Sequence, residues 1–170
     1  MHNGAVPERS PHPVATDELD TGSLALFVGF AASQLVQEQL AEQGFGDLRF
    51  SHGYVFQHLV DDARPTVGEL AAKLDMTQQG ASKAVVELER LGYVERVADP
   101  QDARARRVAL TAHGRAAVAA ARHARKAVEE RLAARFGPDR LAEHRALLAQ
   151  LLDELGGTTD VRLRSVRPPA

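Results

Sequence analysis

TQQGASKAVVELERLGYVERVADPQDARARRVALT, residues 77 to 111, decides how this chain folds. Ala81, Ala84, Val85, Leu88 and Leu91 recur at helical spacing, which predicts a helix with one buried face. Thr77 stands where a cap is wanted, because its hydroxyl can accept from an unpaired amide of the first turn. Gly92 follows the last apolar position and can take the left-handed conformation that commonly closes a helix. Tyr93 then begins a strand, and Asp99-Pro100 marks a hairpin tip crowded by Arg104, Arg106 and Arg107. In the return strand Arg106, Val108 and Leu110 share one face by alternation, which sends Val108 and Leu110 to the core and Arg106 toward the tip. Thr111 caps the next helix. That order of elements is a winged helix.

Upstream, Thr66 opens a short helix through TVGE, a capping box in which the Thr66 hydroxyl and the Glu69 carboxylate satisfy each other's amides. Its inner face is Leu70, Ala71 and Leu74, and the LDM link to Thr77 completes a helix-turn-helix. Leu48 to about Val60 predicts another helix, with Val55, Phe56 and Leu59 inward, stopped by DDARP. Asp20 to about Gln43 predicts a long first helix, in which Leu24, Phe27, Val28, Ala31, Leu35 and Leu40 recur at helical spacing. Downstream, the alanine-rich stretch from Ala112 to Phe136 permits close approach of a neighbouring helix, and FGPD breaks it. A last helix from Pro138 to Leu155 sets Leu141, His144, Leu148, Leu151 and Leu155 in a seam that a second copy would bury.

The chain is therefore read as mainly α with a small β-wing, built from six helices. Residues 1–18 form a disordered arm, 19–155 one domain, and 156–170 a flexible basic tail carrying Arg162, Arg164 and Arg167. Within the domain, 48–111 is the winged helix-turn-helix, and 19–47 with 112–155 supply the helical dimerisation region.

Composition excludes several classes. With no cysteine among 170 residues, disulfides and thiol-based peroxide sensing are impossible. No stretch reads as a signal peptide or a membrane span, which makes the cytoplasm the expected location. The formal charge of −2 opposes phosphate binding, yet Arg9 against Glu8, Asp17, Glu18 and Asp20 gives the first twenty residues −3 and leaves the remainder at +1. Zinc is not expected: of the seven histidines no two stand at the i, i+4 spacing of a helical site. Ser51, His52 and Asp61 hold the atoms of a hydrolytic triad, but Ser51 and His52 are adjacent on a helix and diverge. No nucleophile elbow, phosphate loop or dinucleotide fingerprint occurs, so no enzyme activity and no cofactor are expected.

LAAKLDMTQQGASKAVVELERLGYVER and the wing phrase DPQDARARRVALT resemble the MarR-type transcriptional regulators over about residues 20 to 155. The wing carries the more specific part, in Asp99, Pro100, Asp102, Arg104, Val108, Leu110 and Thr111. The family often has a basic residue where this chain has Ala103, which implies a weakened or retuned backbone contact. The resemblance implies a MarR-like fold and a homodimer formed by the first, fifth and sixth helices. It also implies a regulator that reads double-stranded DNA. The expected DNA contacts are Thr77, Gln78, Gln79, Ser82 and Lys83 on the recognition helix, types that suit base edges and phosphates. Arg104 is expected in the minor groove, Arg106 and Arg107 on phosphates, and Asp102 as the brace of the turn or of the arginine. Two such units would read a pseudo-palindromic operator.

The family further implies a pocket where the dimerisation helices meet the DNA-binding lobe, often taking phenolic or other aromatic acids. A repressor released by such an effector is the reading this favours. Phe27, His52 and Phe56 are the named candidates to line the pocket, with Phe30, Phe50 and Tyr54 beside them. Two alternatives stay open: a winged-helix protein-interaction module without DNA binding, which would carry an apolar patch in place of the arginines, and a regulator with no ligand.

Overall fold

The computed structural model describes residues 15–61, 63–102 and 104–163. A 3-10 turn at Thr16–Glu18 leads into helix α1, Thr21–Glu42, whose Asp20 cap accepts from the Ser23 amide at 2.9 Å. Next come α2, His52–Phe56, then α3, Val67–Lys73, and α4, Gln78–Arg90. Strands β1, Val94–Ala98, and β2, Arg106–Leu110, pair antiparallel from Val94 against Leu110 to Ala98 against Arg106. Helices α5, Ala112–Phe136, α6, Pro138–Glu154, and a short α7, Thr158–Leu163, complete the order.

The caps form as their residue types require. Thr66 and Glu69 make the reciprocal capping box, at 3.2 and 2.7 Å. Thr77 Oγ1 accepts from Gly80 and Thr111 Oγ1 from Gly114. Gly92, at φ 80°, closes α4 in the left-handed region.

Among the described residues two clusters make the core. In the lobe, Leu59, Leu70, Val85, Leu88, Tyr93 and Val108 close together among α2, α3, α4 and the hairpin. In the second, Val36 and Leu40 of α1 meet Ala120, Ala124 and Val128 of α5, where the small alanines let the two helices approach. Phe45, in the link after α1, packs against both.

Four expectations change. The second helix, read as Leu48 to Val60, is helical only over His52–Phe56. On either side the amides of His52, Gly53 and Tyr54, and of His58 and Leu59, bond three residues back, giving tight turns instead. The first strand starts at Val94, because the Tyr93 amide still belongs to the helix end, donating to the Leu88 carbonyl. On α1 only Val36 and Leu40 are buried, while Leu24, Phe27, Val28 and Phe30 stay exposed. The tail from Gly156 is not wholly flexible, since Thr158–Leu163 is a helix. Residues 1–14, Asp62, Ala103 and 164–170, which include most of the expected arm and the end of the tail, lie outside the described residues.

Candidate nucleic-acid interface

Helix α4 presents two opposite faces. Ala81, Val85 and Leu88 are buried in the lobe, and this apolar stripe turns Gln78, Gln79 and Lys83 outward. Thr77 is exposed at the cap, its hydroxyl held by the Gly80 amide, and Ser82 is half-buried. The five residues thus share the first turns of one helix, beside a helix N-terminus whose partial positive charge favours phosphate. At its other end Glu89 pairs with Arg96 of β1 at 3.4 Å.

The wing tip is held by two carboxylates. Asp99 is buried: its Oδ1 accepts from the Gln101 amide at 2.8 Å and its Oδ2 from Arg107 Nε at 2.5 Å. These bonds, the backbone one foremost, hold the Asp99 carboxyl below the ordinary carboxylate range. Asp102 accepts from the Arg104 backbone amide at 2.9 Å, and its carbonyl accepts from Ala105, so it braces the turn rather than the Arg104 guanidinium. Arg104 and Arg106 are exposed.

Arg107 departs from expectation. Besides Asp99, its Nη1 donates to the Arg64 carbonyl at 2.9 Å and faces Glu69 at 3.8 Å. The adjacent Val108 amide donates to the Pro65 carbonyl at 2.8 Å, and Thr66 forms an isolated bridge with Arg107. The guanidinium thus joins the wing to the start of α3 as a latch, a role that the phosphate contact read for Arg107 did not anticipate.

The wing root is joined to the rest through Tyr93. Fully buried, its hydroxyl donates to Asp47 at 2.5 Å, and its ring stacks on His113 with centroids 4.5 Å apart. Burial, then Asp47, pushes the phenol pKa upward. The Tyr93 carbonyl accepts from the Thr111 amide at 3.0 Å and packs directly against Gly114, the third residue of α5. A second junction joins Arg49, His52 and Glu87. The Arg49 guanidinium pairs with Glu87 of α4, and His52 Nε2 lies 3.2 Å from Arg49 Nη2 and 3.6 Å from Glu87. His52 Nδ1 accepts from the Arg49 backbone amide at 3.1 Å. Burial, then the Arg49 charge, lowers the His52 pKa against the opposing pull of Glu87.

A cleft of about 480 Å3 opens where α1, the α2 segment and α5 meet. Its walls are mainly apolar, with Val36, Leu40, Leu48 and Phe56 among them, and Arg49, Tyr54 and Arg125 supply polar groups. Of the three named effector candidates it takes in Phe56 alone. His52 is turned to Arg49 and Glu87, and Phe27 lies exposed on α1, edge-on to Phe30 at 6.5 Å. Phe50 and Tyr54 line the cleft, whereas Phe30 does not. Among the described residues no three metal-ligating side chains converge, and no helix is long and apolar enough to cross a membrane.

The sequence reading missed the Asp99–Arg107 latch, the Tyr93–Asp47 bond and the Arg49–His52–Glu87 junction. Asp99-Pro100 offered a cue to the first, since an Asp before a turn accepts an amide two residues on. The others join residues 46 and 38 positions apart, for which no local spacing gives a signal.

Residues 47–105 match the sequence model of the MarR family, which bears out the resemblance drawn from the wing and helix phrases. The matched stretch runs from the link before α2 to the wing tip. No curated protein matches the chain. Among solved structures it is similar to YusO of Bacillus subtilis, at 19% identity over 77% of this chain and 92% of that one, with a TM-score of 0.62. It is similar to MepR, a transcription regulator of the Staphylococcus aureus multidrug efflux pump MepA, at 21% identity over 81% and 99%, TM-score 0.64. MepR of S. aureus in a DNA complex aligns at 22% identity over 79% and 98%, TM-score 0.64. At these identities the likeness is one of fold: the chain is a mainly helical, MarR-like winged helix with a two-stranded wing.

Proposed function

We propose that this chain, whose winged-helix segment matches the MarR family, is a sequence-specific, double-stranded DNA-binding transcriptional regulator rather than an enzyme. It works in the cytoplasm as a homodimer, and as a repressor that a small aromatic acid or phenol releases from a pseudo-palindromic operator. One observation carries the reading: Gln78, Gln79 and Lys83 are exposed on the first turns of α4 beside a wing that exposes Arg104 and Arg106. Two carboxylates, Asp99 and Asp102, fix the backbone of that wing at its tip. Glutamine can pair with adenine and lysine with guanine in the major groove, while an arginine on a rigid hairpin suits the narrow minor groove.

A single lobe is a small footprint, and the exposed apolar faces supply the reason for a pair. Phe27, Val28 and Phe30 of α1, with Leu147 and Leu152 of α6 and Leu155 just past its end, are uncovered on the protomer, where a second copy would bury them. Recognition helices about 34 to 36 Å apart would then meet successive major grooves on one side of the duplex. The cleft between α1, α2 and α5 is where the effector would act.

Selection of bound duplexes from a random pool tests the reading, with Arg104→Ala in parallel. Enrichment of a pseudo-palindrome is expected, with the variant losing about 1 to 3 kcal/mol of specific affinity while remaining dimeric. No enrichment at low salt, with or without aromatic acids, would assign the fold to protein interaction instead.

A further inference from the structure

We infer that Arg49 transmits occupancy of the cleft to the recognition helix: an aromatic carboxylate in the cleft draws the Arg49 guanidinium away from Glu87 of α4. This rests on the DNA-binding reading above and specifies its regulation.

Arg49 belongs to two sites at once. It lines the cleft between α1, α2 and α5, and its guanidinium is also the ion-pair partner of Glu87. Its neighbour Leu48 is buried, which anchors the backbone, while the Arg49 side chain is 61% exposed and can swing. The cleft, at about 480 Å3, has the size and mainly apolar lining of a small-molecule site. Arg49 and Arg125 are its cationic groups, whereas its acid, Glu129, is held by Arg145 at 2.9 Å. An aromatic ring against Val36, Leu40 and Phe56 with a carboxylate at Arg49 satisfies both features. The planar guanidinium can bind a carboxylate bidentately, so a ligand competes with Glu87 on equal chemical terms.

The consequence falls on α4. Glu87 lies one turn beyond Lys83, and the two share a shallow hollow on the outer face of the helix with Ser82, Val86 and Arg90. While Arg49 neutralises Glu87, Lys83 is available to DNA. Once Arg49 turns to the ligand, the partner left beside Glu87 among the described residues is His52 at 3.6 Å, whose Nδ1 is already committed to the Arg49 backbone amide. The exposed acid then repels phosphate and attracts Lys83 at i, i−4, and both effects lower affinity for DNA. Linkage requires the reverse as well: DNA must weaken the ligand by the same factor.

The test measures affinity for the selected duplex by fluorescence anisotropy, using wild type, Arg49→Gln, Glu87→Gln and the double variant. Each is titrated in benzoate and in its neutral isostere benzamide. Arg49→Gln is expected to weaken DNA binding about fivefold or more. Glu87→Gln and the double variant should bind alike, at least as tightly as wild type, because without the acid the arginine has nothing to neutralise. Benzoate should weaken wild type alone, and benzamide none of them. The inference is overturned if the double variant is as weak as Arg49→Gln, if Glu87→Gln still responds to benzoate, or if wild type responds equally to both compounds. A wild type that binds no duplex overturns the functional reading and this inference together, whereas specific binding without coupling overturns the inference alone.

Discussion

Gly114→Ala tests the junction on which the wing's position depends. A Cβ at Gly114 would collide with the Tyr93 carbonyl oxygen, come within 3.0 Å of the carbonyl carbon and lie 3.1 Å from Leu110 Cδ2. Two of those three atoms are backbone and cannot rotate away, so either the start of α5 or the root of β1 must move. Overpacking of this kind costs about 1 to 3 kcal/mol. The Tyr93 carbonyl also accepts the Thr111 amide at 3.0 Å, and Thr111 caps α5 through the Gly114 amide itself, also at 3.0 Å. Disturbing that cap adds about 1 kcal/mol, while the better helix propensity of alanine returns up to about 1 kcal/mol. The expected net loss is about 1 to 4 kcal/mol, or a fall in Tm of about 2 to 16 °C for a chain of this size. Gly53→Ala is the control, since a Cβ there meets nothing within 4 Å and should be neutral or slightly stabilising. Thermal and urea unfolding at fixed protein concentration measure both variants. A Gly114→Ala protein melting within about 1 °C of wild type, or a Gly53→Ala protein losing as much, would refute the packing argument.

Three further outcomes follow from named contacts. Arg107→Lys should lower DNA affinity and Tm as far as Arg107→Leu does, because a lysine cannot serve both Asp99 and the Arg64 carbonyl; a lysine variant that keeps wild-type affinity would return Arg107 to a phosphate contact. Because the His52 pKa is lowered in the fold, the unfolded chain binds more protons in that window, so the contribution of His52 is complete above the ordinary value of 6.5 and is lost as pH falls through the depressed one. Tm measured from pH 4.5 to 8 should rise more steeply on the acid side for wild type than for His52→Asn, whose Oδ1 can take over the acceptor role of Nδ1, and parallel curves would exclude His52 as the source. Phe27→Asp, on the uncovered face of α1, should sediment as a monomer with unchanged helix content, and an intact dimer would place the pairing surface elsewhere.

What was legible in the sequence is what the backbone decides within a few residues. Thr66 with Glu69, Thr77 and Thr111 all cap as read, because a cap joins a side chain to an amide three positions on, and helix geometry fixes that distance. Gly92 and Gly137 break helices where the left-handed conformation excludes most other residues. The alternation that sent Val108 and Leu110 inward depends only on the pleat. The outward residues of α4 were equally readable, since a buried stripe dictates its opposite face.

Tertiary structure decided which side chain a group meets across the fold. Periodicity put Leu24, Phe27 and Val28 on one helix with Leu40, but packing against α5 covers only the Leu40 end. Alternation turned Arg107 away from the core face, yet only the approach of residues 64–66 to β2 converts it into a latch. Tyr93 had to find an acceptor for its buried hydroxyl, and Arg49 and His52 a carboxylate, but Asp47 and Glu87 lie 46 and 38 positions away. Local spacing fixes which residues share a face, because the backbone repeat is the same wherever a helix or strand occurs. What covers that face depends on how distant segments close onto one another, and for this chain that closure made the cleft, the latch and the Arg49 junction.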